Sequence, residues 1–343
     1  MSTLRVGIVG LGGICRQRHV PGFRAIEGVE LAVVANRSRA SSEQAAEECG
    51  IPEVADNWTD IIKRDDIDIV VIGTWPYMHH PISIAALHAR KHVFCQARMA
   101  MDYNEAVEMQ TAAARSGCVA GLCPVPIGMK VDAAIARLLH EKTLGGLRLV
   151  RVQGLYDTFA SPDAPMNWRK DHRYSGLNAL TLGMYAEVIH RWFGPTRRVQ
   201  ALTKTFTPTR KDAAGQMTQV QIPDQLVVNT EVTGDTQVQY LLSGAVKGGR
   251  DLIELYGAEG ATTYDVADDE LFHLENGRPA APVEIRSEEV YDVVNWQVEQ
   301  DFIDAVRHGV SYHPDFTDGA RYMGVVQAVY DSARTGNSVA LAY

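Results

Sequence analysis

The residues best suited to chemistry here are three glycines and the polar side chains that end several apolar runs. Gly10, Gly12 and Gly13 stand in Arg5-Val6-Gly7-Ile8-Val9-Gly10-Leu11-Gly12-Gly13-Ile14-Cys15, an apolar run entering a turn, with a helix expected from about Ile14. A turn without Cβ atoms lets backbone approach a ligand, and the unpaired N–H groups of a helix start favour a phosphate. This is the spacing of a dinucleotide site at a first strand–helix junction, with Cys15 at the third glycine position of G-x-G-x-x-G. Cys15 is small enough to keep the helix close to the strand. The same pattern also builds a plain β–α turn that holds no nucleotide.

About 20 residues beyond such a turn, a dinucleotide fold reads the adenosine ribose. Asn36-Arg37-Ser38-Arg39 fall there. An acid would bind the ribose hydroxyls and repel a 2′-phosphate. Asn36 is uncharged, and Arg37, Ser38 and Arg39 supply cationic and hydroxyl donors, which favours NADP over NAD. The alternative is that both arginines are solvated loop charges. Thr74-Trp75-Pro76-Tyr77-Met78-His79-His80 and Gln96-Ala97-Arg98 end two further apolar runs, where the ligands of parallel sheets bind. Later, Thr181 and Tyr185 are four apart, hence on one helix face, with Asn178 a turn earlier.

A repeating β-α alternation would position these groups. Strands are expected at Leu4–Val9, Val29–Ala35, Asp68–Gly73, Lys91–Cys95 and Cys118–Leu122, with helices over Ser41–Cys49, Pro81–Arg90 and Asn104–Ser116. The unbroken apolar Asp68–Gly73 suits a parallel strand covered on both faces. Prolines at 124 and 126 interrupt the pattern, so residues 1–123 are expected to form a dinucleotide-binding Rossmann domain and 124–343 a second α/β domain. In that second half Gly146–Gln153, Val199–Thr205, Gln225–Val232, Thr236–Ser243 and Leu252–Tyr256 alternate like strands with one wet face, with Gly234-Asp235 as a hairpin turn. Pro208–Pro223 is expected as a loop. Helices over Val294–Arg307 and Asp318–Ala333 are expected to return to the nucleotide half, Gly309 stopping the first.

At 343 residues the chain has room for two domains, and 46% hydrophobic with 22% charged residues is ordinary for a globular enzyme. A formal charge of −9 argues against nucleic-acid or anionic-membrane partners. No apolar run approaches the roughly 20 residues of a membrane span, and no segment before Leu4 reads as a signal peptide. Five cysteines without a CxxC pair suggest reduced thiols and a cytoplasmic setting. The histidines lack a ligand-like rhythm, so no metal is expected.

The chain resembles the glucose–fructose oxidoreductase / inositol dehydrogenase (Gfo/Idh/MocA) family over nearly its full length. The matching segments are the turn at Gly10, His19-Val20-Pro21-Gly22-Phe23, Val33 to Ser38, Pro76 to His80 and Lys91 to Cys95. Trp168-Arg169, Ser175-Gly176 and Arg191-Trp192-Phe193-Gly194 continue the match. The resemblance implies a Rossmann domain followed by an α/β domain with a large, mostly antiparallel sheet that serves as a subunit contact, hence a homodimer or homotetramer. It implies hydride transfer between a nicotinamide and a small sugar, cyclitol, polyol or carbonyl compound. It also places His80 near the cofactor, with His79 facing solvent.

The family's reactive residues are missing. Its Glu-Lys-Pro motif reads Gln96-Ala97-Arg98, and its Asp-x-Gly-x-His helix reads Thr181-Leu182-Gly183-Met184-Tyr185; Cys123-Pro124-Val125 replaces Asn-Arg-Arg. Ala97 cannot titrate, and Thr181 cannot support an imidazolium. If the family's geometry holds, Tyr185 faces the nicotinamide and can serve as general acid, given a cation to bring its pKa down from about 10. Arg98 is the candidate cation. A structural or substrate-stacking role for Tyr185 stays open. Arg98 or Arg169 can instead bind an anionic substrate group, Gln96 can hold the cofactor by hydrogen bonds, and Glu187 with His190 reads as a structural ion pair. Reduction needs only a proton donor, so a reductase suits these residues. Transient oxidation during elimination or glycoside cleavage, and a nucleotide-binding protein without catalysis, are the alternative functions.

Overall fold

The computed structural model describes residues 3–124, 131–275, 278–286, 289 and 296–343. Val125, Pro126 and Val294, used above to place a boundary and a helix start, lie outside the described residues. Contacts divide the chain into one unit of Met1–Pro124 with Gln297–Ala320, and a second of Val125–Trp296 with Arg321–Tyr343. Helix Phe316–Thr335 therefore gives most of its length to the second unit.

The first unit is a six-stranded parallel sheet of β1 (Leu4–Val9), β2 (Val29–Ala35), β3 (Glu53–Val54), β4 (Ile69–Ile72), β5 (His92–Cys95) and β6 (Ala120–Leu122). Its order, β3-β2-β1-β4-β5-β6, reverses direction at β1, which is the switch point of a doubly wound fold. All four residues of β4 are buried, as its apolar run required. β3 escaped the sequence reading because two residues carry no period. Phe94 on β5 is the hub of the core. Phe23, Phe302 and Tyr312 meet its ring edge-on at centroid distances of 5.8, 5.2 and 6.4 Å. Phe302 comes from helix Val298–His308, so the late segment completes this core.

The second unit holds a nine-stranded sheet. Its strands are β7 (Leu147–Leu155), β8 (Thr196–Lys204), β11 (Gln225–Val232), β12 (Gln237–Ser243), β13 (Asp251–Gly257), β14 (Gly260–Asp265), β15 (Glu270–Glu275), β16 (Ala281–Pro282) and β17 (Val339–Ala340), in the order β16-β15-β14-β13-β7-β12-β11-β8-β17. Only the β7–β12 pairing is parallel. The doubly wound sheet plus a large, mostly antiparallel one is the expected fold class. One face, with Val150, Val152, Tyr240, Leu242 and Ile253, is buried. Gly183 brings helix Leu182–Phe193 onto the late helix, where an added Cβ would lie 3.3 Å from the Tyr322 ring. The segment expected as a loop from Pro208 to Pro223 contains a hairpin of β9 (Thr209–Lys211) and β10 (Met217–Gln219). Buried Arg210 anchors it by donating to the carbonyls of Phe159, Ser161 and Ala164. Its isolation in a polar stretch hid it.

Candidate functional site

The glycine turn leaves β1 with Gly10 at φ +83°, a conformation that disfavours a side chain. A Cβ there would lie 2.7 Å from the Thr74 backbone nitrogen. Gly12 and Gly13 differ. A Cβ at Gly12 would meet only Gly73 O, at 3.8 Å, and one at Gly13 nothing within 4 Å. The space above them is left open, not filled by packing. The chain turns helical at Gly13 and Ile14, then passes through a wider π turn at Cys15–His19. Cys15 is buried against Gly73, where any side chain would collide with its Sγ, and burial pushes its thiol up to about 12. This cysteine packs and does not react.

A cavity of about 320 Å³ opens beside the turn, lined by Gly10, Gly12, Asn36, Arg37, Thr74 and Trp75 among others. It therefore unites the glycines, the end of β2 and the end of β4. Buried Thr74 Oγ1 has no partner among the described residues, and Trp75 remains 37% exposed. No carboxylate lines the cavity. Asn36 is spent on the scaffold: its Oδ1 accepts from Leu11 N at 2.7 Å and its Nδ2 donates to Ser41 O at 3.0 Å. Ser38 caps helix Arg39–Cys49. Arg39 is held by Glu43 and Asp56, each at 2.8 Å. Arg37, exposed at the rim, has no ion pair among the described residues. Of the four residues expected at the ribose, Arg37 is the cation available to a ligand.

Pro76 opens a short turn leading to helix His79–His88. The expectation that His79 faces solvent is overturned there. His79 is fully buried, with Nδ1 2.8 Å from Arg98 O and Nε2 3.0 Å from Thr74 O, so it straps the two loops together. Two histidines side by side gave no sign of which one faced inward. His80 instead meets Glu108 at 2.7 Å and does not line the cavity. Arg98 follows a cis peptide bond from Ala97. The amide of Gln96, expected at the cofactor, donates to His19 Nε2, and His19 Nδ1 meets the Glu299 carboxylate. All three side chains are buried. His19 and Glu299 were missed as partners because they are 280 residues apart.

In the second unit, Leu182 is the first residue of the helix and Thr181 stands at its N-cap position without a side-chain capping bond. Asn178 is therefore not one turn earlier on that helix: it precedes a left-handed Leu180 and donates to Ser175 O at 2.7 Å. Tyr185 N still donates to Thr181 O, at 3.0 Å, which keeps those two residues together. Both lie over Gly154 of β7, whose Cβ would come 3.2 Å from Thr181 Oγ1 and 3.5 Å from Tyr185 Cε2. Gly154 pairs across the strands with Asp251 on β13. The phenol reaches past the glycine and donates to Asp251 Oδ1. Burial first, then the Asp251 charge, push the Tyr185 phenol well above its usual value. The expected neighbouring cation is thus, on this side of the ring, a carboxylate. Thr181 Oγ1 is buried without a partner among the described residues.

Glu187 meets Arg191 at 2.8 Å and His190 meets Thr196 Oγ1 at 2.9 Å, so each has a partner other than the one expected. Arg169 lies over the Trp168 ring at 4.4 Å. The five cysteines are free. His313, Asp315 and Asp318 bring ligand atoms within 4.8 Å of one another, but they serve the start of helix Phe316–Thr335, where Asp315 Oδ1 accepts from Thr317 N at 2.7 Å and Asp318 Oδ2 from Asp315 N at 3.0 Å. No described helix is long and apolar enough to cross a membrane.

The family model of the oxidoreductase family with an NAD-binding Rossmann fold matches residues 4–122, and that of the GFO/IDH/MocA C-terminal domain matches residues 133–263. The chain belongs to the Gfo/Idh/MocA oxidoreductases. Levoglucosan dehydrogenase of Pseudarthrobacter phenanthrenivorans is 24% identical, covering 97% of each chain. The 1,5-anhydro-D-fructose reductase of Ensifer adhaerens is 29% identical over 34% of this chain and 35% of its own. Among solved structures, levoglucosan dehydrogenase in complex with NADH and L-sorbose superimposes with a TM-score of 0.88 at 22% identity, covering 99% of both chains. An oxidoreductase domain protein from Kribbella flavida gives 0.88 at 24% identity over the whole of both chains. These structures share the fold; they do not assign residues.

Proposed function

We propose that this chain is an NADP-preferring oxidoreductase of a sugar, cyclitol or related polyol or carbonyl compound, with Tyr185 moving the proton in place of the family's lysine and histidine. The observation that carries the reading is the acid-free cavity. Gly12 and Gly13 leave room for a pyrophosphate, Thr74 Oγ1 is an unused hydroxyl, and Arg37 offers a positive charge where a 2′-phosphate would sit. The nicotinamide, when bound, supplies the hydride donor or acceptor. Trp75, exposed at the cavity rim, suits a flat base. The sugar class is supported by the relatives, which are named for levoglucosan and anhydrofructose. Arg169, exposed and without an acidic partner among the described residues, suits an anionic group on the substrate. The exposed face of the large sheet, where Leu202 stands open, is the proposed contact of a homodimer or homotetramer in the cytoplasm.

The test follows absorbance of reduced nicotinamide with ketoses, lactones, imines and polyols, using NADPH and NADH in parallel. Turnover of at least one compound is expected, faster with NADPH. Tyr185→Phe should lower it by ~10² or more with NADPH affinity unchanged. Unchanged turnover removes Tyr185 from the reaction. Bound nucleotide that never exchanges points to transient oxidation, and tight binding without turnover across the panel to a protein without catalysis.

A further inference from the structure

We propose that Asp251 is the proton terminus of the reaction, exchanging its proton with substrate through the Tyr185 hydroxyl. The inference rests on reading Tyr185 as the residue that meets the substrate oxygen, and it adds a second group, 66 residues further along the chain.

The geometry carries it. A phenol has one proton, and here that proton is already given to Asp251 Oδ1. Toward any third group Tyr185 Oη can therefore only accept. A hydroxyl of the substrate donating to Oη completes a chain of two hydrogen bonds ending on a carboxylate. During oxidation the C–H electron pair leaves the carbon as hydride for the nicotinamide. The O–H proton passes to Tyr185 Oη as the phenol's own proton passes to Asp251. The products are a carbonyl, a neutral phenol and a carboxylic acid, so no tyrosinate forms. Reduction runs the same transfers in reverse. This removes the difficulty of a buried tyrosine acting alone, since burial makes its anion costly.

The cross-strand pairing places this residue: Asp251 lies opposite Gly154, the glycine against which both Thr181 and the Tyr185 ring pack. Asp251 is half-buried, and burial raises its carboxyl above the ordinary aspartate value, with Asp265 adding to the shift and the Tyr185 hydrogen bond opposing it. The titratable groups around the pair are Tyr156 after β7 and Tyr264 and Asp265 on β14; Arg250 neutralises Asp265. Tyr264 is engaged with Asp269 at 2.8 Å. Beside the pair, Thr181 Oγ1 is buried without a partner among the described residues.

Two measurements test this. The first uses the protein without substrate: infrared difference spectra on acidification should show a carboxylic acid C=O band that vanishes in Asp251→Asn and moves in Tyr185→Phe. The second uses the best substrate of the nicotinamide panel. Wild-type kcat/KM for oxidation should rise with pH through one group, and Asp251→Asn should abolish that limb and lower kcat by ~10², with NADPH affinity by fluorescence unchanged. An Asp251→Asn enzyme with the wild-type pH profile overturns the proposal, as does a band indifferent to Tyr185→Phe. A wild-type protein that turns over nothing overturns the reading of the site itself, and the infrared arm then reports separately whether the pair exists.

Discussion

Arg37→Ala isolates the cofactor preference. Arg37 stands exposed at the rim of the proposed nucleotide cavity without an ion pair among the described residues, whereas Arg39 is occupied by Glu43 and Asp56. Two unit charges about 4 Å apart interact by about 1 kcal/mol in bulk water and about 4 kcal/mol at a protein surface of effective dielectric 20. Arg37 is open to solvent, so the lower end applies, and a phosphate monoester carries a charge of about −1.5 to −2 at neutral pH. The product is about 1.5–2 kcal/mol, or roughly 10- to 30-fold in Kd. Fluorescence titration should show Arg37→Ala losing that factor for NADPH and almost nothing for NADH. Arg39→Ala should change neither by much, and molar salt should erase most of the difference through screening. An Arg37→Ala protein that binds NADPH as wild type does, or a wild type that prefers NADH, refutes the argument.

Gly10→Ala forces a Cβ onto the backbone nitrogen of Thr74 from a positive-φ residue, so it should cost about 2 kcal/mol or more in urea unfolding and abolish nucleotide binding. Lys170 and Asp224, both buried, form an ion pair of 2.6 Å, with Asp224 also accepting from Phe206 N at 2.7 Å. Asp224→Asn strands the ammonium and should cost roughly 3–5 kcal/mol by the same assay. Burial lowers the His79 pKa, so the folded state binds fewer protons than the unfolded chain below about pH 6.5. Stability should therefore fall as pH drops from about 6.5 towards that lowered value. His79→Gln should flatten the slope without removing it, because His92 is shifted in the same direction by burial. A slope identical in His79→Gln would show that His79 is not its source.

The regular parts of this fold were legible because their periods are long. β2 and the Gln225–Val232 strand match their apolar patterns residue for residue, and helix Arg39–Cys49 stops at Gly50, which adopts a left-handed φ of +58°. The glycine turn was legible because its spacing is dictated by backbone sterics. The partners of the site residues were not. His19 with Glu299, and Tyr185 with Asp251, meet across 280 and 66 residues, and nothing in a local pattern couples such positions. The loop after β2 divides its side chains in a way no local pattern shows: Asn36, Ser38 and Arg39 hold the scaffold, and Arg37 at the cavity rim has no ion pair among the described residues.

The late segment that completes the first unit sets the timetable of synthesis. Until residues 297–320 leave the ribosome, Phe94 lacks Phe302 and Tyr312, and His19 lacks the carboxylate of Glu299. The nascent nucleotide unit must wait, unfinished, while some 170 residues of the other unit are made between its two parts. A gene fragment ending at the first proline after β6 would thus encode most of the cradle and lack part of what holds it together.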